Sequence, residues 1–381
     1  MTEKKRVKEY DNKCALYIHI PFCVSKCAYC NFCSFAGKDE YIAEYVNRLC
    51  DELVYRAHQH AEKIITSIYI GGGTPSFLPL GAITTIVNCV KANYTLEENL
   101  SITIEGNPNS LTLEKLREYK MNGINRLSVG LQTATPELLK LLNRKHTVED
   151  FELCIKNAKE VGFTNINADI IIGIPTQTMN DVKTTLECVL KQGIQHISAY
   201  GLILEEGTPL YKKVKRGEFK PLDDDVCNEM YDYVCERLKQ DGFYRYEISN
   251  FSKIGFKSDH NLNYWHRGQY LGVGLDAYSF VDGVHWQNTN NLKEYLKNPT
   301  QIIGVEKETL KTAKLETIML ALRLDEGLDI TKFNHDFHCD FLSDYGEVLK
   351  NLLNKNLVKI INNHLIIVDQ HISNSIIAEF A

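Results

Sequence analysis

ALYIHIPFCVSKCAYCNFC, residues 15–33, joins an apolar, β-rich run to a loop that holds four cysteines in eleven positions. The run decides the fold, because its pattern returns along the first half of the chain. An apolar β-rich stretch ends in a Gly, Pro or Thr loop, and an amphipathic helical stretch follows. The predicted strands are ALYIHI (15–20), SIYIGG (67–72), LSITIE (100–105), RLSVGL (126–131), INADIIIG (166–173) and HISAYGL (196–202). Helical stretches lie near 39–60, 79–91, 113–121, 136–160 and 178–191. Asp39 and Thr147 read as N-caps, the latter with Asp150 three residues on. Apolar residues at nearly consecutive positions suit parallel strands covered on both faces. Six strand–helix units across 14–225 predict an α/β fold, an open or partial (β/α)6 barrel, because a full barrel needs more units. A doubly wound sheet is the alternative.

Beyond the repeat the chain changes character. Residues 206–225 read as an exposed crossover and 224–241 as a helix. Residues 246–280 read as an irregular, aromatic-rich segment, and the whole of 226–304 as a connecting segment. From 305 to 381 a C-terminal domain is expected, with helices at 314–324, 329–337 and 343–354 and a hairpin at 357–368 turning on Asn-Asn. Helices followed by a hairpin predict a winged-helix-like α+β domain. Residues 301–381 carry 8 Lys/Arg against 12 Asp/Glu, so a packing or partner role is expected rather than DNA binding.

Charge and composition narrow the partners. A net charge of −6 implies no general affinity for nucleic acid or anionic membrane. The opening MTEKKRVKEYDNK lacks the apolar stretch of a secretory signal, and no later run is long enough to span a bilayer. The expected compartment is the reducing cytosol, where stable disulfides are rare. Most of the twelve cysteines, such as Cys89, Cys154 and Cys188, lie among apolar residues and read as small buried hydrophobes. The cluster at 23–33 needs another explanation.

Its spacing is Cys23-x3-Cys27-x2-Cys30, with Cys33 three residues further on. Structural zinc normally takes two separated ligand pairs, and no second pair is present. A ferredoxin-type cluster takes four thiolates in a different order. A third arrangement is a cubane held by three thiolates, with one iron open for chemistry. Cys33 is then either a spare thiol or a fourth ligand that closes that iron. The other strand ends are polar and glycine-rich: GGGTPS (71–76), EGNP (105–108), GLQT (130–133), and Asp169 before GIP (173–175). Glycine lets backbone groups approach a ligand closely. Glu105 is a candidate acceptor and Arg144, in LLNRKHT, a candidate partner for a carboxylate.

Cys-x3-Cys-x2-Cys with Tyr29 before the third cysteine matches the radical S-adenosylmethionine (SAM) signature. LYIHIPFC (16–23), GGGTPS, EGNP, SVGLQ (128–132), NRKH, ADIIIGIP (168–175) and YEISNF (246–251) extend the likeness. Together they resemble the coproporphyrinogen oxidase-like branch of the radical SAM superfamily, over nearly the whole chain. The resemblance implies a 4Fe–4S cluster on Cys23, Cys27 and Cys30. It implies SAM at the open iron, with contacts from Tyr17, Tyr29, Gly72, Gly73, Thr74, Glu105, Gln132, Arg144 and Asp169. Within the branch, the true oxidases carry a fourth cysteine where this chain has Phe32. The HemW haem chaperones have Phe there and an HNxxYW motif, matched by HNLNYW from His260 to Trp265. That likeness implies haem binding with His260 as ligand, and transfer of haem to acceptor proteins, membrane-associated respiratory ones among them. It also implies an electron donor and no nucleic-acid partner. The rival activity is oxidative decarboxylation of coproporphyrinogen III propionates to vinyls. The chain departs from the branch at Ile254, Leu275, Asp276 and Tyr278, on the surface expected to face porphyrin.

Overall fold

The computed structural model describes residues 10–381; residues 1–9, most of the polar N-terminal stretch, lie outside them. Six parallel strands form the frame: β1 (Lys13–Ile20), β2 (Ile64–Gly72), β3 (Thr95–Gly106), β4 (Arg126–Gln132), β5 (Asn165–Ile172) and β6 (His196–Gly201). Each has two chemically distinct faces. Leu16, Ile18, Ile20, Ile68, Ile70, Ile102, Ile104, Leu127 and Val129 belong to one large apolar core beneath the helices. The alternate positions carry Tyr17, Tyr69, Glu105, Ser128 and Asp169. The expectation of strands apolar on both faces is therefore corrected. Period-two alternation gives a dry outer face and a polar inner one.

Helices α1 (Ile42–Gln59), α2 (Ala82–Asn93), α3 (Leu113–Met121), α4 (Pro136–Leu141), α5 (Val148–Glu160) and α6 (Met179–Lys191) connect these strands. Thr147 and Asp150 form the expected capping box of α5. Asp39 does not cap α1. Residues 39–41 make a 3-10 turn, so Asp39 lies inside the first turn and Tyr41 takes the cap position without a side-chain bond. The stretch 136–160 is two helices rather than one. Asn143 adopts a left-handed conformation (φ 56°) that ends the first helix. The segment 206–225 is not simply an exposed crossover. It contains α7 (Pro209–Lys215), whose Leu210 is fully buried in a small cluster with Ala28, Leu138, Leu142 and Ile174.

After α8 (Asp224–Gln240) the chain returns to the sheet. Residues 246–280 are ordered elements, not an irregular connection. β7 (Tyr244–Arg245) and β8 (Asn250–Ser252) extend the β6 edge antiparallel. Helix α9 (Asp259–Trp265) carries HNLNYW. It leads into β9 (Tyr270–Val273), which pairs parallel with the far side of β1. β10 (Tyr278–Val281), β11 (Val284–Asn288) and β12 (Ile302–Lys307) follow antiparallel, with α10 (Leu292–Lys297) between the last two. The strand order is β12-β11-β10-β9-β1-β2-β3-β4-β5-β6-β8-β7. The six-stranded barrel is thus open, because β6 and β1 each pair with a later strand instead of with each other. Buried Glu52 on α1 fastens the added strands. It accepts from Gly274 N (2.9 Å), Asn288 Nδ2 (2.7 Å) and the Tyr295 hydroxyl (2.8 Å).

The C-terminal domain is winged-helix-like. It comprises α11 (Leu310–Ala321), β13 (Leu328–Asp329), α12 (Ile330–Phe337), α13 (Phe341–Asp344), α14 (Gly346–Asn354), β14 (Val358–Ile361), β15 (His364–Ile367) and α15 (Ser373–Ala378). Its own core gathers Ile318, Phe333, Phe341, Leu349, Leu352 and Leu365. The hairpin turns on Asn362 and Asn363, both at positive φ (49° and 63°), as a tight two-residue turn requires. Arg267, just after α9, ties this domain to the barrel. Its guanidinium pairs with Glu308 and with Glu316 (2.7 Å), and its own side chain is 3% exposed. Arg267→Ala leaves Glu308 buried and uncompensated. A loss of about 3–5 kcal/mol is expected, read as a lower urea midpoint. A change below about 1 kcal/mol would mean the pair is solvated and does not hold the junction.

Candidate functional site

β1 delivers the cysteine loop to the C-terminal mouth of the sheet, where folds of this type place their sites. Backbone bonds hold the loop on both flanks. Gly73 N donates to Ile20 O and Thr74 N to Phe22 O (both 2.8 Å), while Phe35 N donates to Pro21 O (2.7 Å). A Cβ on Gly73 would stand 2.9 Å from two of the loop's carbonyl oxygens and 3.0 Å from Cys23 Sγ, so only glycine fits there. On the other side Ala28 N donates to Leu142 O and accepts Leu210 N on its carbonyl. The break at Asn143 now has a purpose. It turns Arg144 inward, where one guanidinium nitrogen meets Cys27 Sγ (3.3 Å) and the other donates to Asn107 Oδ1 (2.6 Å) and Gly130 O (2.7 Å).

Cys23, Cys27 and Cys30 share one opening of about 150 Å³ with Tyr29, Gly72, Gly73, Thr74, Glu105, Gln132, Arg144 and Asp169. Eleven of the thirteen residues singled out from sequence therefore meet there. Tyr17 lies one layer below, stacked on Tyr69 at 6.3 Å, with its hydroxyl on His19 Nδ1 (3.0 Å). Cys33 is not on the opening. Its sulfur faces Asn290 O, and its carbonyl accepts from His19 Nε2 (2.9 Å). Among the described residues no three His, Cys, Asp or Glu side chains close on a single metal ion. The residues suit a larger group: three thiols on one opening, the glycine loop beside Cys23, and a buried Arg144 Nε without a partner.

The electrostatics point the same way. Burial pushes the Cys23 and Cys30 thiols up, so each would become a thiolate ligand only beside a cation. Glu105 accepts from the Tyr69 hydroxyl (2.7 Å) and from Gly72 N (3.2 Å), yet burial still raises its carboxyl to about 7. Asp169 is also raised by burial, against bonds from Asn167 (2.6 Å) and Ser128 (3.3 Å). Gln132 sits at φ 71°, a conformation rarely populated outside glycine, and its amide oxygen accepts from Tyr200 OH (2.9 Å). Tyr69, Asn107, Ser128 and Tyr200 were not singled out from sequence. The signal that would have found them is strand parity with Glu105 and Asp169.

His260 is not at this site. It is 2% exposed, its Nδ1 bonds Ser67 Oγ (2.9 Å) and its Nε2 bonds Tyr264 OH (3.0 Å). Its ring stacks on Tyr69 at 5.1 Å, and burial holds it neutral, with a pKa lowered to about 3. To offer a nitrogen to haem iron, as expected from the sequence, His260 has to give up one of these two bonds.

A polar-lined open βα sheet with three thiols at its mouth defines a radical SAM protein. The superfamily's profile matches residues 17–189, and that of the HemN C-terminal domain matches 309–367. The haem chaperone HemW of Lactococcus lactis is 34% identical over 344 residues, 90% of each chain. That of Bacillus subtilis is 32% identical over 90% of this chain and 92% of its own. The chain belongs to the HemW family. Coproporphyrinogen III oxidase (HemN) of Escherichia coli shares the fold, with a TM-score of 0.86 over 99% of this chain and 92% of its own, at 22% identity.

Glu105 makes a pH prediction. A carboxyl raised from 4.5 to about 7 keeps its proton in the folded state longer than in the unfolded one. Its contribution is complete below 4.5 and is lost as pH rises through about 7, on the order of 3 kcal/mol. Ligand-free protein should lose stability over that window, and Glu105→Gln should flatten the profile. Parallel profiles for the two proteins would show that Glu105 is ionised throughout.

Proposed function

We propose that the protein is a haem chaperone that binds a 4Fe–4S cluster and SAM and passes haem to acceptor proteins. The observation that carries this reading is the end-to-end match to relatives named for haem chaperoning. Cys23, Cys27 and Cys30 hold the cluster, and the orientation of Cys33 favours leaving the fourth iron to SAM. Glu105 accepts from the ribose hydroxyls or the α-ammonium group. Arg144, already anchored to Cys27, pairs with the methionyl carboxylate through its free Nε edge. Tyr29, Gly72, Gly73, Thr74, Gln132 and Asp169 complete the SAM site, and Tyr17 supports it from below through Tyr69. When bound, the pair supplies one-electron reductive chemistry at the mouth.

The haem acceptors include membrane-associated respiratory proteins, and a separate reductant serves the cluster. A reducing, cytoplasmic setting agrees with the free state of all twelve cysteines. Coproporphyrinogen oxidation remains the second reading, favoured by the intact cysteine rim and by the shared HemN fold. Phe32, 69% exposed where the oxidases have cysteine, favours the chaperone.

Two measurements test this. In anaerobically reconstituted protein, Cys30→Ser should lose iron and sulfide, whereas Cys33→Ser should keep both, along with the change SAM makes in the paramagnetic resonance spectrum. Iron lost from Cys33→Ser would make Cys33 a ligand. Given reductant, SAM and coproporphyrinogen III, the protein should form no protoporphyrinogen at turnover, and it should bind haem without altering it. Catalytic decarboxylation would sink the chaperone-only reading.

A further inference from the structure

A second, roomier cavity lies at the opposite end of the sheet from the cysteines. It measures about 940 Å³, within the ~300–1,000 Å³ typical of ligand sites. Its floor is made by Ser101 of β3 and by Asn125 and Asn165 where β4 and β5 begin, and its side by the loop after β8 and the outer face of α9. Ile254, Phe256 and Leu262 give it an apolar wall, and Ile254 is 82% exposed.

The charge of the cavity is opposite to that of the chain. Lys253 and Lys257 line it and lie over the rings of Phe243 (5.2 Å) and Tyr246 (5.7 Å) rather than against carboxylates. Just behind the floor, Arg126 is 2% exposed, and its Nε has no hydrogen-bond partner. Arg126 pairs in register with Asn165, whose buried Oδ1 is also unpartnered and belongs to the cavity lining. Asp259 is the one carboxylate on the wall. Two lysines against one carboxylate, beside an apolar wall, suit a flat apolar molecule that carries carboxylates.

We propose that this floor cavity is where haem sits, with its ring on Ile254, Phe256 and Leu262 and its propionates on Lys253 and Lys257. The proposal rests on the haem-chaperone reading. It gives HNLNYW a structural role: His260 faces inward and pins α9 to Ser67 and Tyr69, so that Leu262 faces the cavity. It also places cargo and cluster at opposite ends of the barrel.

Haem titration of the cluster-loaded protein, followed by the Soret band, tests it. Lys253→Glu/Lys257→Glu and Ile254→Asp should each weaken haem binding at least tenfold, with iron content and urea midpoint unchanged. All three positions are on the surface loop, so misfolding is not the expected cause of a loss. Tight haem binding by the wild type, unchanged in both variants, would overturn the floor site and leave the chaperone reading standing. So would a loss confined to His266→Ala or His364→Ala, which line a separate cleft beside the C-terminal domain. A wild type that binds no haem at all would remove the chaperone reading with it.

Discussion

One guanidinium joins three of the loops at the mouth. Arg144 touches Cys27 of the loop after β1, Asn107 of the loop after β3, and the Gly130 carbonyl near the end of β4. Backbone bonds hold the cysteine loop at its flanks and at Ala28, but Arg144 is the side chain that ties Cys27 to the other two loops. The side chain reaches that point only because α4 stops at Leu141 and Asn143 turns back. A continuous helix over 136–160 would have left Arg144 on an outer surface. The interruption is therefore the local feature on which the geometry of the thiol rim depends.

A second chain of contacts runs the length of the inner face. Glu105 at the mouth accepts from Tyr69, Tyr69 stacks on His260, and His260 bonds Ser67 and Tyr264 at the lower end. Buried polar groups are retained when every member is satisfied, and here nearly every one is. The inner face can therefore stay polar between two ends that each meet solvent, while the outer face carries the stability. A substitution at Tyr69 would act on both ends at once, because its hydroxyl serves one and its ring the other.

Much of this was legible in the sequence, and the failures have physical causes. The six strands were recognisable because β-rich apolar runs recur with helices between them. The Asn-Asn hairpin and the Thr147 capping box were recognisable because each depends on residues adjacent in the chain. The three cysteines and their companion loops were found through the motif. The missed elements depend on tertiary context. β7 to β10 are two to four residues long and carry no period of their own. They exist because β1 and β6 offer open edges. The break at Asn143 contains neither glycine nor proline, and its local signals, Asn143 itself and a new helix start at Thr147, are weaker than the apolar pattern that runs across 136–160. The facing of His260 is likewise a property of where α9 packs, and six matching residues do not encode it.

The division between the ends bears on what a radical SAM frame does in a haem-binding protein. An oxidase must bring its porphyrin to the mouth, within reach of the SAM-bound iron. Here the mouth opening is about 150 Å³, while the roomier, cationic cavity is at the far end. Haem held there would be separated from the cluster by the polar inner face, which shields it from radical chemistry while leaving it open to an acceptor. Communication between the ends would then pass through α9, since His260 touches Tyr69 on one side and Leu262 lines the cavity on the other. Any ligand that shifts α9 must disturb the Tyr69 ring, and with it the donor that Glu105 relies on. By linkage the effect is reciprocal, so SAM at Glu105 would alter the hold on haem as much as haem alters the hold on SAM.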